Sequence, residues 1–280
     1  MNLKELKQHF VMNIAVQYDA EEALSIFYIT VEKISGWGRS HFVLKEDQEI
    51  LGDNLSHYLK VIEDLKKGVP IQYILGESCF IGMKLYVNPS VLIPRPETEE
   101  LVNWIIENTN MTSGLKILDV GTGSGCIALS LKKYLNNASV SALDISLEAI
   151  NTATFNALKN NLTVNFIQAN ILDYEGVEKY DLIVSNPPYI KKNEMGDMHV
   201  NVLENEPHIA LFVSNEEPLL FYKAIADFAR QNLEPNGWLY FEINEFLSTE
   251  TICMLEEKDF KNIKLKKDMQ GKDRMVCCNL

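Results

Sequence analysis

Two adjacent prolines, Pro187 and Pro188, fix what the residues before them can form. Neither carries a backbone N–H, so no sheet ladder continues through them. The preceding run, Asp181-Leu-Ile-Val-Ser185, is apolar and β-branched, the pattern of a strand buried on both faces in a parallel sheet. Asn186, Pro187, Pro188 and Tyr189 are therefore expected on a stiff loop outside the carboxyl end of that strand, where open α/β sheets bind ligands. An Asn side chain offers one carbonyl acceptor and one NH2 donor in a plane, and the prolines keep their carbonyls. Such a turn suits gripping the NH2 of an amide or of an amino-purine. Asn-Pro-Pro is also ordinary turn composition, so its weight depends on what the chain brings beside it.

From Leu115 onward, strand and helix patterns alternate. Strands are expected at 116–120, 139–144, 164–168, 180–185 and 238–243, with helices from Gly125 to about residue 135, over 147–160 and over 218–233. A βαβ series of this kind makes a parallel sheet covered on both faces. The tail, 263–267 and 274–278 around Gly271, reads as an antiparallel hairpin.

The chain before Leu115 has a different texture. Residues 1–69 read as a small helical bundle. Asp19 with Glu22 opens a helix whose expected apolar face is Ala20, Leu24, Phe27, Val31 and Ile34, stopped by Gly36 and Gly38. Leu51, Leu55, Tyr58, Leu59, Ile62 and Leu65 mark another helix, which ends at Gly68 and Pro70. Residues 70–96 read as a β-hairpin linker, and 97–280 as the domain that carries the chemistry. Pro96 and its acidic neighbours start a helix bearing Leu101, Val102, Ile105 and Ile106; Glu97 and Thr98 are read as capping it.

Charge narrows the partners. With 39 acidic against 26 basic residues the net charge is -13, which weighs against a nucleic acid held through its phosphates. The five cysteines show no metal-ligand spacing, and no metal site is expected. Free cysteines, no apolar run of membrane-spanning length and no apolar signal core imply a cytoplasmic protein, expected as a monomer.

Gly121-Thr122-Gly123-Ser124-Gly125 follows the strand at 116–120 and opens a helix. Glycines there let the backbone turn sharply and a ligand lie against it. The third glycine of a dinucleotide fingerprint would fall at Cys126, so the pattern favours a cofactor that needs no pyrophosphate cradle. Asp144, at the tip of the next strand, is placed to accept both hydroxyls of a ribose.

Taken in series, Gly121-x-Gly123-x-Gly125, Asp144 and Asn186-Pro-Pro-Tyr189 resemble the class I S-adenosyl-L-methionine-dependent methyltransferases that act on planar nitrogen. Within them the chain resembles the protein-(glutamine-N5) methyltransferases of peptide chain release factors. The resemblance spans nearly its whole length through Pro70-Ile-Gln-Tyr-Ile-Leu-Gly76, Ile93-Pro-Arg-Pro-Glu-Thr-Glu99, Ser185-Asn-Pro-Pro-Tyr-Ile190, Glu206-Pro207 with Ala210-Leu211, and Asp268-x-x-Gly271-x-x-Arg274.

The resemblance implies a Rossmann-like class I methyltransferase sheet with helices on both faces, plus an N-terminal helical domain that recognises the substrate protein. It implies that Gly121, Thr122, Gly123, Ser124 and Gly125 wrap the methionine end of the cofactor, that Asp144 binds its ribose, and that Asn170 and Ile171 border the adenine. The family more often has an acid and an aromatic at the last two positions. Asn186, Pro187, Pro188 and Tyr189 are implied to hold the substrate glutamine, with Asn186 also beside the cofactor and Asn186, Pro187 and Tyr189 catalytic. Phe241-Glu-Ile-Asn244 departs from the family pattern and receives no role; Arg95 is a weaker candidate for the wall of the site.

The implied reaction moves a methyl group from S-adenosyl-L-methionine to the side-chain nitrogen of the glutamine in the Gly-Gly-Gln motif of class 1 peptide chain release factors, leaving S-adenosyl-L-homocysteine. A glutamine in a ribosomal protein, or adenine N6 in RNA or DNA, presents the same planar NH2. A binding module without catalysis is the remaining class, and the glycine turn, Asp144 and Asn186 argue against it.

Overall fold

The structure, a computed structural model, describes residues 1–109 and 114–280. The chain forms two compact units, Met1–Gly76 with His199–Asn205, and Glu77–Met198 with Glu206–Leu280.

The smaller unit is helical: α1 (Leu3–Ile14), α2 (Ala20–Ser35), α3 (Arg39–Lys45), α4 (Gly52–Lys66) and α5 (Ile71–Leu75). Helix α1 starts in a capping box in which Asn2 and Glu5 each accept the other's backbone N–H. In α2 the Asp19 carboxylate accepts the N–H groups of Glu21 and Glu22, and Gly36 ends the helix at φ +70. The buried face of α2 is Ala23, Ile26, Phe27, Thr30 and Val31. Only Phe27 and Val31 of the expected stripe are fully buried: α1 and α4 both pack on this helix, so its buried face is wider than one period-spaced row and centred away from Ala20 and Leu24. Phe27 lies edge-on to both Phe10 and Phe42, with centroids 5.5 and 5.7 Å away. Truncating that ring to alanine would cost roughly 3–5 kcal/mol.

Of the stretch 70–96, read as a hairpin linker, the first part is helix α5; in the larger unit β1 (Ser78–Phe80) and β2 (Met83–Leu85) form a hairpin, and Phe80, Met83 and Leu85 enter the core of this unit. Then follow α6 (Pro96–Asn108), β3 (Lys116–Val120), α7 (Cys126–Tyr134), β4 (Ser139–Asp144), α8 (Leu147–Lys159), β5 (Asn165–Gln168) and β6 (Tyr180–Ser185). The stretch after β6 holds β7 (Ile190–Lys191), α9 (Val200–Asn205) and β8 (Phe212–Val213), with β7 and β8 paired in parallel. Helix α9 belongs to the smaller unit, where the Asn205 amide donates to the Gly68 carbonyl at 3.1 Å. The chain closes with α10 (Leu220–Asn232), β9 (Leu233–Glu242), α11 (Ser248–Glu257), β10 (Lys261–Lys267) and β11 (Asp273–Asn279).

The sheet runs β10-β11-β9-β6-β3-β4-β5. It is parallel from β9 to β5, and the expected tail hairpin adds β11 and β10 antiparallel at one edge. The central strands β3, β4, β6 and β9 are buried along most of their length, which is why they read as largely apolar runs. Leu182 and Val184 of β6 join the core cluster beneath α6 and α7, while Ile183 points into the other, built on α10 and α11. From β3 the chain steps outward to β4 and β5, then returns to place β6 on the other side of β3. The order reverses between β3 and β6, and the crevice outside their carboxyl ends is the expected ligand site of such a sheet. Among the described residues no helix is long and apolar enough to cross a membrane.

Candidate functional site

The carboxyl ends of β3, β4, β5 and β6 border one cavity within the larger unit. Gly121, Thr122, Gly123 and Ser124 line it from the turn after β3, Asp144 from the end of β4, Asn170 and Ile171 from beyond β5, and Asn186, Pro187 and Pro188 from beyond β6. Gly125 and Tyr189 are not among its lining residues.

The turn after β3 reaches the cavity as bare backbone. Gly121 and Gly123 have φ of +75 and +54, and a Cβ added to either would meet nothing within 4 Å, so the space beside them is open to a ligand. Gly125 answers a different need. At φ +82 it caps α7, and an added Cβ would lie 3.1 Å from Ala153 Cβ and 3.2 Å from Leu129 Cδ1. It lets α7 and α8 approach.

Asp144 is tied to the same turn: its Oδ2 accepts the Gly123 N–H at 2.8 Å and its Oδ1 the Ser146 N–H at 3.0 Å. Burial pushes its carboxyl above the usual carboxylate range, opposed by those backbone N–H groups. Each oxygen keeps a lone pair, so the group still accepts from a diol. Beyond β5, Asn170 spends its Oδ1 on the Leu172 N–H at 3.1 Å, which closes its own loop; Ile171 and Leu172 add apolar wall.

Asn186 is anchored from behind. Its Nδ2 donates to Thr98 Oγ1 at 3.1 Å, and the Thr98 hydroxyl donates to Glu242 Oε2 at 2.7 Å. The Tyr189 hydroxyl donates to the other carboxylate oxygen, Glu242 Oε1, at 3.1 Å. Glu242 is 2 % exposed at the end of β9, and Ser185 and Phe241 are register partners across the parallel β6–β9 pair. Asn186 and Glu242 therefore leave neighbouring strand ends side by side. Burial raises the Glu242 carboxyl, while the hydroxyls of Thr98 and Tyr189 and the Arg274 charge pull it back down.

A second buried carboxylate holds another wall. Glu206 Oε2 accepts the Ile93 N–H at 3.1 Å, and its Oε1 pairs with the Arg95 guanidinium. Arg95 lines the cavity, as do Ile209 and Ala210 just beyond Glu206. Under the glycine turn lies Asp119, fully buried. Its Oδ2 takes the Thr122 hydroxyl at 2.7 Å and the Ala128 N–H at 3.2 Å, and its Oδ1 has no hydrogen-bond partner among the described residues.

Sequence reasoning assigned no part in the site to Thr98, Glu242, Asp119 or Glu206. Thr98 was expected to cap α6, but that helix has no side-chain cap, and the hydroxyl turns instead to Glu242. The available signal was a carboxylate standing in an apolar strand, twice: Asp119 in Lys116–Val120 and Glu242 closing Leu233–Glu242.

What the cavity offers is an open glycine turn, a carboxylate acceptor, apolar walls and an amide acceptor. Arg95 is the one basic residue among its lining residues, and Glu206 engages it. Such a set suits an adenosyl group carrying a single positive centre better than a dinucleotide, whose pyrophosphate calls for cationic or N–H cradling.

Comparison with known proteins bears on the same regions. The family model of the PrmC N-terminal domain matches residues 8–76 and that of the methyltransferase small domain residues 98–206. The release factor glutamine methyltransferase of Flavobacterium psychrophilum is 50% identical over 100% of this chain and 99% of its own length. That of Bacteroides thetaiotaomicron is 45% identical over 78% of this chain and 79% of its own. Among solved structures, a methyltransferase from Pyrococcus furiosus superposes with a TM-score of 0.52 at 19% identity, covering 81% of this chain and 98% of that one. A 16S rRNA methyltransferase from Thermus thermophilus, in complex with AdoMet and guanosine, gives 0.53 at 20% identity over 72% of this chain and 49% of that one. At such identities the two structures speak for the fold, a class I methyltransferase sheet.

Proposed function

The chain belongs to the release factor glutamine methyltransferase family, and from that premise we propose that it transfers a methyl group from S-adenosyl-L-methionine to N5 of the glutamine in the Gly-Gly-Gln motif of class 1 peptide chain release factors. The observation that carries this reading is the placement of Asn186: it lines the cavity that holds the glycine turn and Asp144, with its NH2 committed inward to Thr98. That leaves Oδ1 as the group Asn186 offers to an incoming NH2.

The residues present fit the cofactor. A Cβ at Gly121 or Gly123 would fill space left open to the cofactor, Asp144 is an acceptor for the ribose hydroxyls, and Ile145, Ile171, Leu172 and Phe221 supply apolar wall for the adenine. When bound, S-adenosyl-L-methionine supplies an electrophilic methyl group on a sulfonium centre.

An amide nitrogen is a poor nucleophile because its lone pair is delocalised into the carbonyl. Asn186 Oδ1 and the Pro187 carbonyl each accept one N–H of the substrate amide, fixing the nitrogen and turning its lone pair toward the methyl group. Positioning of this kind replaces an encounter with a held geometry. The same two acceptors stabilise the positive charge that develops on nitrogen as the N–C bond forms and the C–S bond breaks, its electron pair leaving with sulfur. The methylated amide cation is acidic enough to give its proton to water, so no strong base is required. Pro188 stiffens the turn, and Tyr189 acts from behind it through Glu242. In this reading residues 1–69 recognise the release factor, and the protein works as a cytoplasmic monomer.

The test is methyl transfer from labelled S-adenosyl-L-methionine to purified release factor, with its Gly-Gly-Gln glutamine intact or changed to alanine, beside ribosomal protein and RNA. Label on the intact factor alone is the expected result. Label on RNA or on the ribosomal protein would overturn the substrate.

A further inference from the structure

The hydroxyl of Thr98 carries one proton, and its direction decides what Asn186 can do. Three elements meet at this point: Thr98 lies in the first turn of α6, Glu242 at the end of β9 and Asn186 just past β6. Thr98 and Glu242 are 3 % and 2 % exposed, so no water competes for the bonds between them. Thr98 Oγ1 lies 2.7 Å from Glu242 Oε2 and 3.1 Å from Asn186 Nδ2. Glu242 Oε2 accepts the Thr98 hydroxyl. The Thr98 proton is therefore committed to Glu242, and the hydroxyl faces Asn186 with lone pairs alone. Against lone pairs an Asn side chain must present its NH2. A flipped amide would set carbonyl oxygen against hydroxyl oxygen and lose the hydrogen bond.

We propose that Thr98 and Glu242 are positioning residues that set the polarity of Asn186, forcing its carbonyl oxygen rather than its NH2 toward the substrate nitrogen. This rests on the function proposed above. It adds what decides which end of the amide faces the reacting group, a choice the Asn-Pro-Pro-Tyr turn does not make by itself. Tyr189 completes the arrangement: its hydroxyl donates to Glu242 Oε1 at 3.1 Å, leaving Oε2 for Thr98. Without Glu242, the Thr98 proton is released to donate to Asn186 Oδ1. The amide could then turn its NH2 to the cavity, where it would meet another NH2.

The test uses the full-length chain and Thr98→Val, Thr98→Ser, Glu242→Leu and the Thr98→Val/Glu242→Leu double variant. Three readouts are taken on each: kcat for release-factor methylation, calorimetric affinity for S-adenosyl-L-methionine, and the side-chain 15NH2 signals of Asn186, assigned by their loss in Asn186→Asp. Thr98→Val is expected to lower kcat at least about tenfold with cofactor affinity kept within about threefold, and to move the Asn186 NH2 signals and speed their exchange with solvent. Thr98→Ser, which restores the hydroxyl, returns kcat and both signals toward wild type. The double variant loses no more than the worse single one, because both act through one amide. Wild-type kcat and unmoved signals in Thr98→Val, or losses that multiply in the double variant, would overturn the proposal. The NMR readout needs no substrate: a wild type that leaves release factors unmethylated would end the functional reading, and the Asn186 signals would still decide the positioning.

Discussion

Asp144 Oδ2 accepts the Gly123 N–H at 2.8 Å, so the carboxylate at the tip of β4 and the glycine turn after β3 are a single piece. The ribose acceptor and the cofactor cradle are therefore coupled. Asp144→Ala removes an acceptor and loosens the turn at once; losing charge-assisted hydrogen bonds of this kind costs about 2 kcal/mol, or roughly 30-fold in cofactor affinity. Asp144→Asn should fall between, since its NH2 cannot accept either backbone N–H. Calorimetric titration with S-adenosyl-L-methionine checks the order, and equal affinity in all three proteins would remove Asp144 from the cofactor site.

Asn186→Ala takes away the amide acceptor while leaving the glycine turn and Asp144 in place. Methyl transfer should fall to near background, at least about a hundredfold, with cofactor affinity within about threefold of wild type. Stopped turnover with unchanged binding separates positioning of the substrate from loss of the cofactor. A variant that turns over at the wild-type rate would sink the mechanism.

What the sequence made legible here is what lies at strand ends. The sheet strands were readable because residues buried on both faces leave apolar runs, and Gly121, Asp144 and Asn186 were readable because each interrupts a run at its carboxyl end. What escaped was built by contacts across the chain. Thr98 meets Glu242 over 144 positions and Glu206 meets Ile93 over 113, and no periodicity encodes such pairs. Tyr189 was expected to hold the substrate glutamine. It is not among the lining residues, and its hydroxyl turns to Glu242. Helix α11 escaped for another reason: it buries only Thr251, Met254 and Leu255, too few to stand out as a stripe.

The Arg95–Glu206 pair gives a prediction on stability. The Glu206 carboxylate is buried and serves two donors, while Arg95 keeps 32% of its side chain exposed. Glu206→Ala strands the Ile93 N–H and an arginine that can still turn toward water, so the cost falls at or just below the bottom of the range for breaking a buried pair, about 2–3 kcal/mol. The denaturation midpoint should drop, and the cofactor KM should rise because Arg95 and Ala210 line the cavity. A midpoint equal to wild type would show that this wall does not depend on the pair.

Two glycines of the same turn should fail differently. Alanine at either pays for a left-handed backbone, roughly 1 kcal/mol. At Gly123 the new methyl enters open space beside the cavity, so cofactor affinity should fall more than stability. At Gly125 it lies 3.1 Å from Ala153 Cβ, so overpacking adds about 1–3 kcal/mol and the melting temperature should fall. Melting curves with and without cofactor for Gly123→Ala and Gly125→Ala distinguish the two roles. The same profile from both would mean that the turn has only one.

Asp119 makes stability depend on pH in an unusual direction. Burial pushes its carboxyl from 3.8 up to about 7, partly offset by the Thr122 hydroxyl and the Ala128 N–H, with Asp144 nearby raising it further. Because the raised value belongs to the folded state, between these limits the folded chain holds a proton that the unfolded chain has released. Stability from this group is therefore full below 3.8 and is lost as pH rises through about 7. Across the whole titration the loss is on the order of 4 kcal/mol, and between pH 5.5 and 8 roughly 2 kcal/mol of it should be visible. Asp119→Asn cannot titrate, and its buried NH2 has no evident acceptor, so it should be less stable than wild type at pH 5.5. The gap should then narrow or reverse by pH 8. Urea denaturation of both proteins across that range measures it directly. Curves that stay parallel would mean that Asp119 is ionised in the folded chain throughout this range.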